Sequence, residues 1–128
     1  MMSKAIKNPT ELEGMRQSHL KDAAALVGTA VLAIPSKYLI HGNYLTQCNY
    51  FAWLEAELLA GREHNEVDVA EKLAGFRAEQ TDFIGLSFDT ISGSGPNGAI
   101  IHYKPEPETC AIVKRDQMYL CDSGGQYR

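Results

Sequence analysis

An α+β fold is what this sequence predicts, with helices first and antiparallel strands after. Three observations carry that expectation. Apolar residues recur at helical spacing up to about residue 80. From Phe83 onward they come instead in short runs with aromatic and β-branched members. Turn formers separate those runs, first Ser92-Gly93-Ser94-Gly95-Pro96-Asn97-Gly98 and later Gly124-Gly125. Helices followed by a run of strands belong to the α+β class, and strands joined by such loops pair antiparallel.

The elements follow in order. Asn8-Pro9-Thr10-Glu11 reads as a helix start: Asn8 caps, Pro9 suits the first helical position, and Glu11 stands where a capping box needs it. This helix runs to Leu26, and Gly28 and Thr29 then weaken it. Residues 28–49 read as strand, turn and strand. Tyr50 to Leu59 is helical again, with Gly61 as its C-terminal cap. A third helix is expected from Asp68, capped by that residue with Glu71 three positions on, and with Val69, Leu73 and Phe76 facing a core. Strands are expected over Phe83–Phe88, Ala99–Tyr103 and Met118–Asp122, with Ser92–Gly98 as a loop.

A chain of 128 residues, 45% hydrophobic and 22% charged, fits one globular domain. A net charge of -4 gives no basic footprint, which argues against nucleic acid as a partner. The most apolar stretch, Ala23 to Pro35, is shorter than the roughly 20 residues a membrane span needs. The N-terminus has no apolar core of a secretory signal. Cys48, Cys110 and Cys121 are odd in number and show no CxxC spacing, against both a disulfide framework and a zinc site. Reduced thiols fit a cytoplasmic location.

Two residues stand out chemically. Asp122 ends an apolar strand just before Ser123-Gly124-Gly125. A carboxylate there can point into a cleft and ligate a hard divalent ion, or it can simply cap the turn. His102 lies between Ile101 and Tyr103, and strand alternation would face it opposite to both. A neutral imidazole near pH 7 can donate to an oxyanion or shuttle a proton, although a lone strand histidine is more often structural. Gly93, Gly95 and Gly98 form a GxGxxG that opens onto a strand rather than a helix, so they shape the loop before His102 and do not form a dinucleotide site. His19, near Asp22, sits on a solvated helix face, and His41 and His64 carry no signal. Cys121 should face away from Asp122 as a small core residue, and Trp53 should pack with Phe51 and Leu54.

The second half also resembles a known family. The runs Asp82-Phe83-Ile84-Gly85-Leu86-Ser87-Phe88-Asp89-Thr90-Ile91-Ser92, Gly95 to Pro105, and Tyr119-Leu120-Cys121-Asp122-Ser123-Gly124-Gly125-Gln126-Tyr127 are similar to cytosolic X-prolyl aminopeptidases, the aminopeptidase P family. Gly14 to Asp22, Glu71-Lys72-Leu73 and Phe76-Arg77 resemble its earlier helices. The resemblance implies a partial pita-bread fold and an enzyme that removes an N-terminal residue when proline comes second. It implies two metal ions, usually manganese, held by two Asp, one His and two Glu. Asp122 falls on the first of those Asp positions. His102 falls on a histidine that contacts the peptide substrate and helps to move protons. A homodimer is compatible with the complete enzyme.

The sequence also departs from that pattern. The family's second Asp comes shortly after the Tyr that matches Tyr127, and the remaining ligands come later, whereas this sequence stops at Arg128. The resemblance places no family counterpart for residues 28–49, which are expected to interrupt what should be one helix from Leu26 into Tyr50. The expected domain is therefore residues 8–128, a truncated catalytic domain with an anomalous insertion at about 28–49, for which a retained intron or a faulty gene model would account. Such a chain is an aminopeptidase by descent, expected to be inactive alone and to hold manganese poorly. The alternative is a non-catalytic pita-bread fragment or interaction domain. A prolidase or creatinase relative matches less well, because of His102-Tyr103-Lys104-Pro105. Deleting residues 28–49 should raise the melting temperature or solubility of the chain. A deletion variant that unfolds, beside an intact chain that melts cooperatively, would show the segment to be an integrated element.

Overall fold

The structure is a computed structural model that describes residues 5–26 and 50–128. The strand–turn–strand expected at 28–49, and the reading of that stretch as an insertion, fall outside these residues. Helix α1 spans Pro9–Leu26. Its start is the capping box that the sequence indicated: Glu11 N donates to Asn8 Oδ1 and Asn8 N donates to Glu11 Oε2, both at 2.9 Å. Helix α2 spans Tyr50–Leu59 and ends at Gly61, whose φ of 73° suits glycine. There Gly61 N donates to the Leu58 carbonyl and Arg62 N to the Glu57 carbonyl, which satisfies the last turn.

Helix α3 spans Glu66–Ala78, starting nearly one turn earlier than expected. The cap is Asn65, not Asp68. Asn65 Oδ1 accepts from Val67 N at 2.9 Å and Asp68 N at 2.8 Å, and Asn65 N donates back to Asp68 Oδ2 at 3.1 Å. Asp68 is thus the reciprocal member of the box. The shift makes Glu66 the first helical residue and buries it completely.

Strands β1 (Phe83–Leu86), β2 (Ile91–Ser94), β3 (Tyr119–Asp122) and β4 (Gly125–Tyr127) pair antiparallel in a nested way, β2 with β3 and β1 with β4. Ile91 opposes Asp122, and Leu86 opposes Gly125. Residues 87–90 on one side therefore face only residues 123–124 on the other, and Ser87 N donates to the Gly124 carbonyl at 3.0 Å across this irregular corner.

Two expectations are corrected here. Ser92 to Ser94 belong to β2 rather than to a loop, and Gly95–Ala99 form a 3-10 helix. Ala99–Tyr103 is not a strand. Pro96, with its fixed φ and missing N–H, stands in the first turn of the 3-10 helix, and Gly95 takes φ 58°. The turn folds back so closely that a Cβ on Gly93 would stand 2.9 Å from Gly98 Cα. A second turn follows at once, closed by Tyr103 N donating to the Ile100 carbonyl at 3.2 Å. Two successive turns leave no extended run in which a strand could pair.

The apolar core joins α2 and α3: Tyr50, Leu54, Val69, Leu73, Phe76 and Val113, with Trp53 and Cys121 packed against it as expected. Polar bonds fasten the rest. The Tyr119 hydroxyl lies 2.7 Å from that of Tyr50 and 2.9 Å from Ser92 Oγ, which ties α2 to both inner strands. Arg77, fully buried on α3, donates to Asp22 of α1 at 2.7 and 3.3 Å. Removing one partner of a buried pair strands the other charge away from water. Asp22→Ala should cost about 3 kcal/mol, the low end for a buried pair because Asp22 is partly exposed. Urea unfolding measures it, and a loss below about 1 kcal/mol would show that water reaches Arg77 readily.

Candidate active site

Strand alternation along β3 sends Tyr119 and Cys121 inward and Leu120 and Asp122 outward. Asp122 is therefore exposed at the strand end, where the sequence places it. At the corner that follows, Gly124 packs against Ser87, whose hydroxyl would have to turn aside to admit a Cβ at Gly124. A cleft of about 150 Å³ opens at this corner, lined by Ser18, His19, Asp22, Ser87, Gly124 and Gly125. His19 itself bonds back to the Met15 carbonyl at 2.8 Å, which is a structural role. His64 also proves structural: its ring lies 4.9 Å from that of Trp53, and its Nε2 lies 2.8 Å from Glu57 Oε2.

His102 sits in the turn that replaces the expected strand, with φ 55° and its side chain exposed. Strand alternation therefore does not set its direction. Positive φ is uncommon for a residue with a Cβ, although histidine tolerates it better than most. The His102 and Asp122 side chains make no hydrogen bond to one another or to any other described residue.

Behind the His102 turn lies a buried carboxylate that the sequence did not reveal. Glu66 accepts from Ser94 N at 2.6 Å, from Ala111 N at 2.9 Å, from the Tyr103 hydroxyl at 2.7 Å, and from Asn97 Nδ2 at 3.1 Å to each oxygen. Burial pushes its pKa up, but the hydrogen bonds from Ser94, Tyr103, Ala111 and Asn97 together outweigh burial and hold the carboxyl below the usual glutamate range. Burial, and then the Glu66 carboxylate, push the Tyr103 hydroxyl up to about 12. The partners lie 28 to 45 positions along the chain from Glu66, so no local pattern marks it.

The chain is similar to known proteins. Residues 13–128 match the model of metallopeptidase family M24. A protein of Laccaria bicolor named Probable Xaa-Pro aminopeptidase P is 57% identical over 124 residues, 97% of this chain but 16% of the relative. Its namesake in Neurospora crassa is 50% identical over 98% of this chain and 15% of its own length. The crystal structure of X-prolyl aminopeptidase from Caenorhabditis elegans, a cytosolic enzyme with a di-nuclear active site, superposes with a TM-score of 0.75 at 36% identity, covering 98% of this chain and 17% of that one. The α+β arrangement is thus a partial pita-bread fold, and the chain spans about a sixth of the length of these relatives.

A two-metal centre does not fit the described residues. No group of three or more His, Cys, Asp or Glu side chains among them could hold a metal ion. Asp122 offers one carboxylate, whereas hard divalent ions take about six oxygen ligands. No described helix is long and apolar enough to cross a membrane.

The Glu66 cluster makes a testable link to pH. Its folded pKa is lowered, so the stability it contributes is fully present above the unfolded glutamate value and is lost as pH falls through the folded one. Glu66→Gln should cost about 2 kcal/mol or more at neutral pH, because an amide cannot accept from all four donors. The deficit should shrink at about pH 3. Melting curves at both pH values check this, and a deficit independent of pH would contradict an ionised Glu66.

Proposed function

The chain belongs to metallopeptidase family M24, and on that premise we propose that it is a segment of an Xaa-Pro aminopeptidase, an enzyme that releases the N-terminal residue of peptides with proline second. The observation that carries this reading is the likeness to such enzymes along 97–98% of the chain, in sequence and in fold. Asp122 contributes one ligand to a metal centre whose other ligands the described residues do not supply, and manganese is the metal expected there. His102, on its exposed turn, faces the bound peptide and moves a proton at an imidazole nitrogen. The setting is cytoplasmic, as for the Caenorhabditis elegans enzyme. A homodimer is compatible with the complete enzyme.

A second reading, a non-catalytic pita-bread segment, is favoured by one observation: the described residues bring no metal-ligand group together. The two readings concern different lengths of polypeptide and are separated by experiment. This chain alone should show no manganese-dependent cleavage of an Xaa-Pro peptide, because one carboxylate cannot build a two-metal site. A full-length chimera, in which this segment replaces its counterpart in the Laccaria bicolor relative, should cleave that peptide. In the chimera, Asp122→Ala should lose bound manganese and turnover together. His102→Ala should keep the metal and lower turnover by about 10²–10⁴-fold. Equal loss of metal in both variants, or an inactive parent chimera, would overturn these assignments.

A further inference from the structure

We infer that Tyr103 and Asn97 are positioning residues, which clamp the His102 turn onto the buried Glu66 carboxylate and so fix where the imidazole stands. The inference rests on the role proposed for His102. Its support is geometric. His102 holds φ 55°, a conformation that persists in a residue with a Cβ when the surroundings over-determine it. The imidazole supplies none of that determination, since it is exposed and bonds to no described residue.

The constraint comes from the flanks. Before the turn, Asn97 Nδ2 donates to both Glu66 oxygens at 3.1 Å. After it, the Tyr103 hydroxyl donates to Glu66 Oε2 at 2.7 Å. The two arms also touch, Asn97 Nδ2 donating to Tyr103 Oη at 3.0 Å. Tyr103 N closes the turn onto the Ile100 carbonyl. Both ends of a short loop are thereby pinned to one carboxylate at the start of α3, a rigid element packed on the core. Groups placed by rigid elements and hydrogen-bonded supports are held more precisely than groups on free loops. Removing the phenol oxygen leaves Glu66 three donors, Ser94 N, Ala111 N and Asn97, so the carboxylate is not orphaned.

The test is a double-mutant cycle in the full-length, manganese-loaded chimera. Tyr103→Phe should lower kcat by about 10- to 100-fold, with KM and bound manganese unchanged. In the His102→Ala background the same substitution should lower kcat no further, because there is no imidazole left to place. An unchanged kcat in Tyr103→Phe overturns the inference. So does an equal loss in both backgrounds, which would mean that the phenol acts other than through His102. Undiminished turnover in His102→Ala itself overturns the role of His102, and the inference with it. Should Tyr103→Phe fail to fold, Asn97→Ala removes the other arm, and the same outcomes decide.

Discussion

One carboxylate decides how the second half of this molecule is held. Glu66 is fully buried and ionised, and its oxygens collect the ends of four separate stretches: β2 at Ser94, the 3-10 turn at Asn97, the loop at Tyr103, and the returning chain at Ala111. Taking a lone carboxylate out of water is costly. Here the sign of the balance is visible, because the hydrogen bonds hold the Glu66 pKa below its ordinary value despite burial. An anion is also well placed at the start of a helix, where backbone N–H groups and the helix dipole favour negative charge. The Asn65 cap is what puts it there.

The same economy recurs elsewhere. The apolar cluster is small, so polar contacts carry much of the assembly. Arg77 joins α3 to α1 through Asp22, and Tyr119 joins β3 to α2 and β2 through Tyr50 and Ser92. Such contacts are directional, and they set register and angle where apolar packing alone is tolerant of both. Large apolar side chains remain exposed, Ile101 at 86% and Met118 at 84% among them. A short chain buries a smaller share of its surface than a long one, and this chain is about a sixth as long as its relatives.

What could be read from the sequence was local. The Asn8–Glu11 box, the Gly61 cap, and the strand ending at Asp122 each depend on residues within a few positions of one another, and each stands as read. The start of α3 was misplaced because Asn65 and Asp68 both offer capping oxygens, and only the fold shows which caps and which reciprocates. The strand expected at Ala99–Tyr103 failed for the opposite reason. Ile100 and Ile101 have strong strand preferences, but the Gly93–Gly98 approach and the Glu66 clamp bend them into turns. Glu66 itself was invisible, since nothing near it in sequence names its partners.

The contrast between Glu66 and Asp122 bears on function. A metal ligand must keep oxygen lone pairs available, and a structural carboxylate must not. Glu66 has spent its acceptor capacity on protein donors, so it can stabilise the loop but cannot bind an ion. Asp122 is exposed, held only by its backbone pairing opposite Ile91, with no donor from the described residues on its carboxylate. Its carboxylate oxygens thus keep lone pairs available, as the ligand role proposed for Asp122 requires. The same division separates Tyr103 from His102: one residue is consumed in the clamp, and its neighbour is left free at the surface. Residues that hold the site in shape are saturated, and the two proposed to act are the ones left with bonds to make.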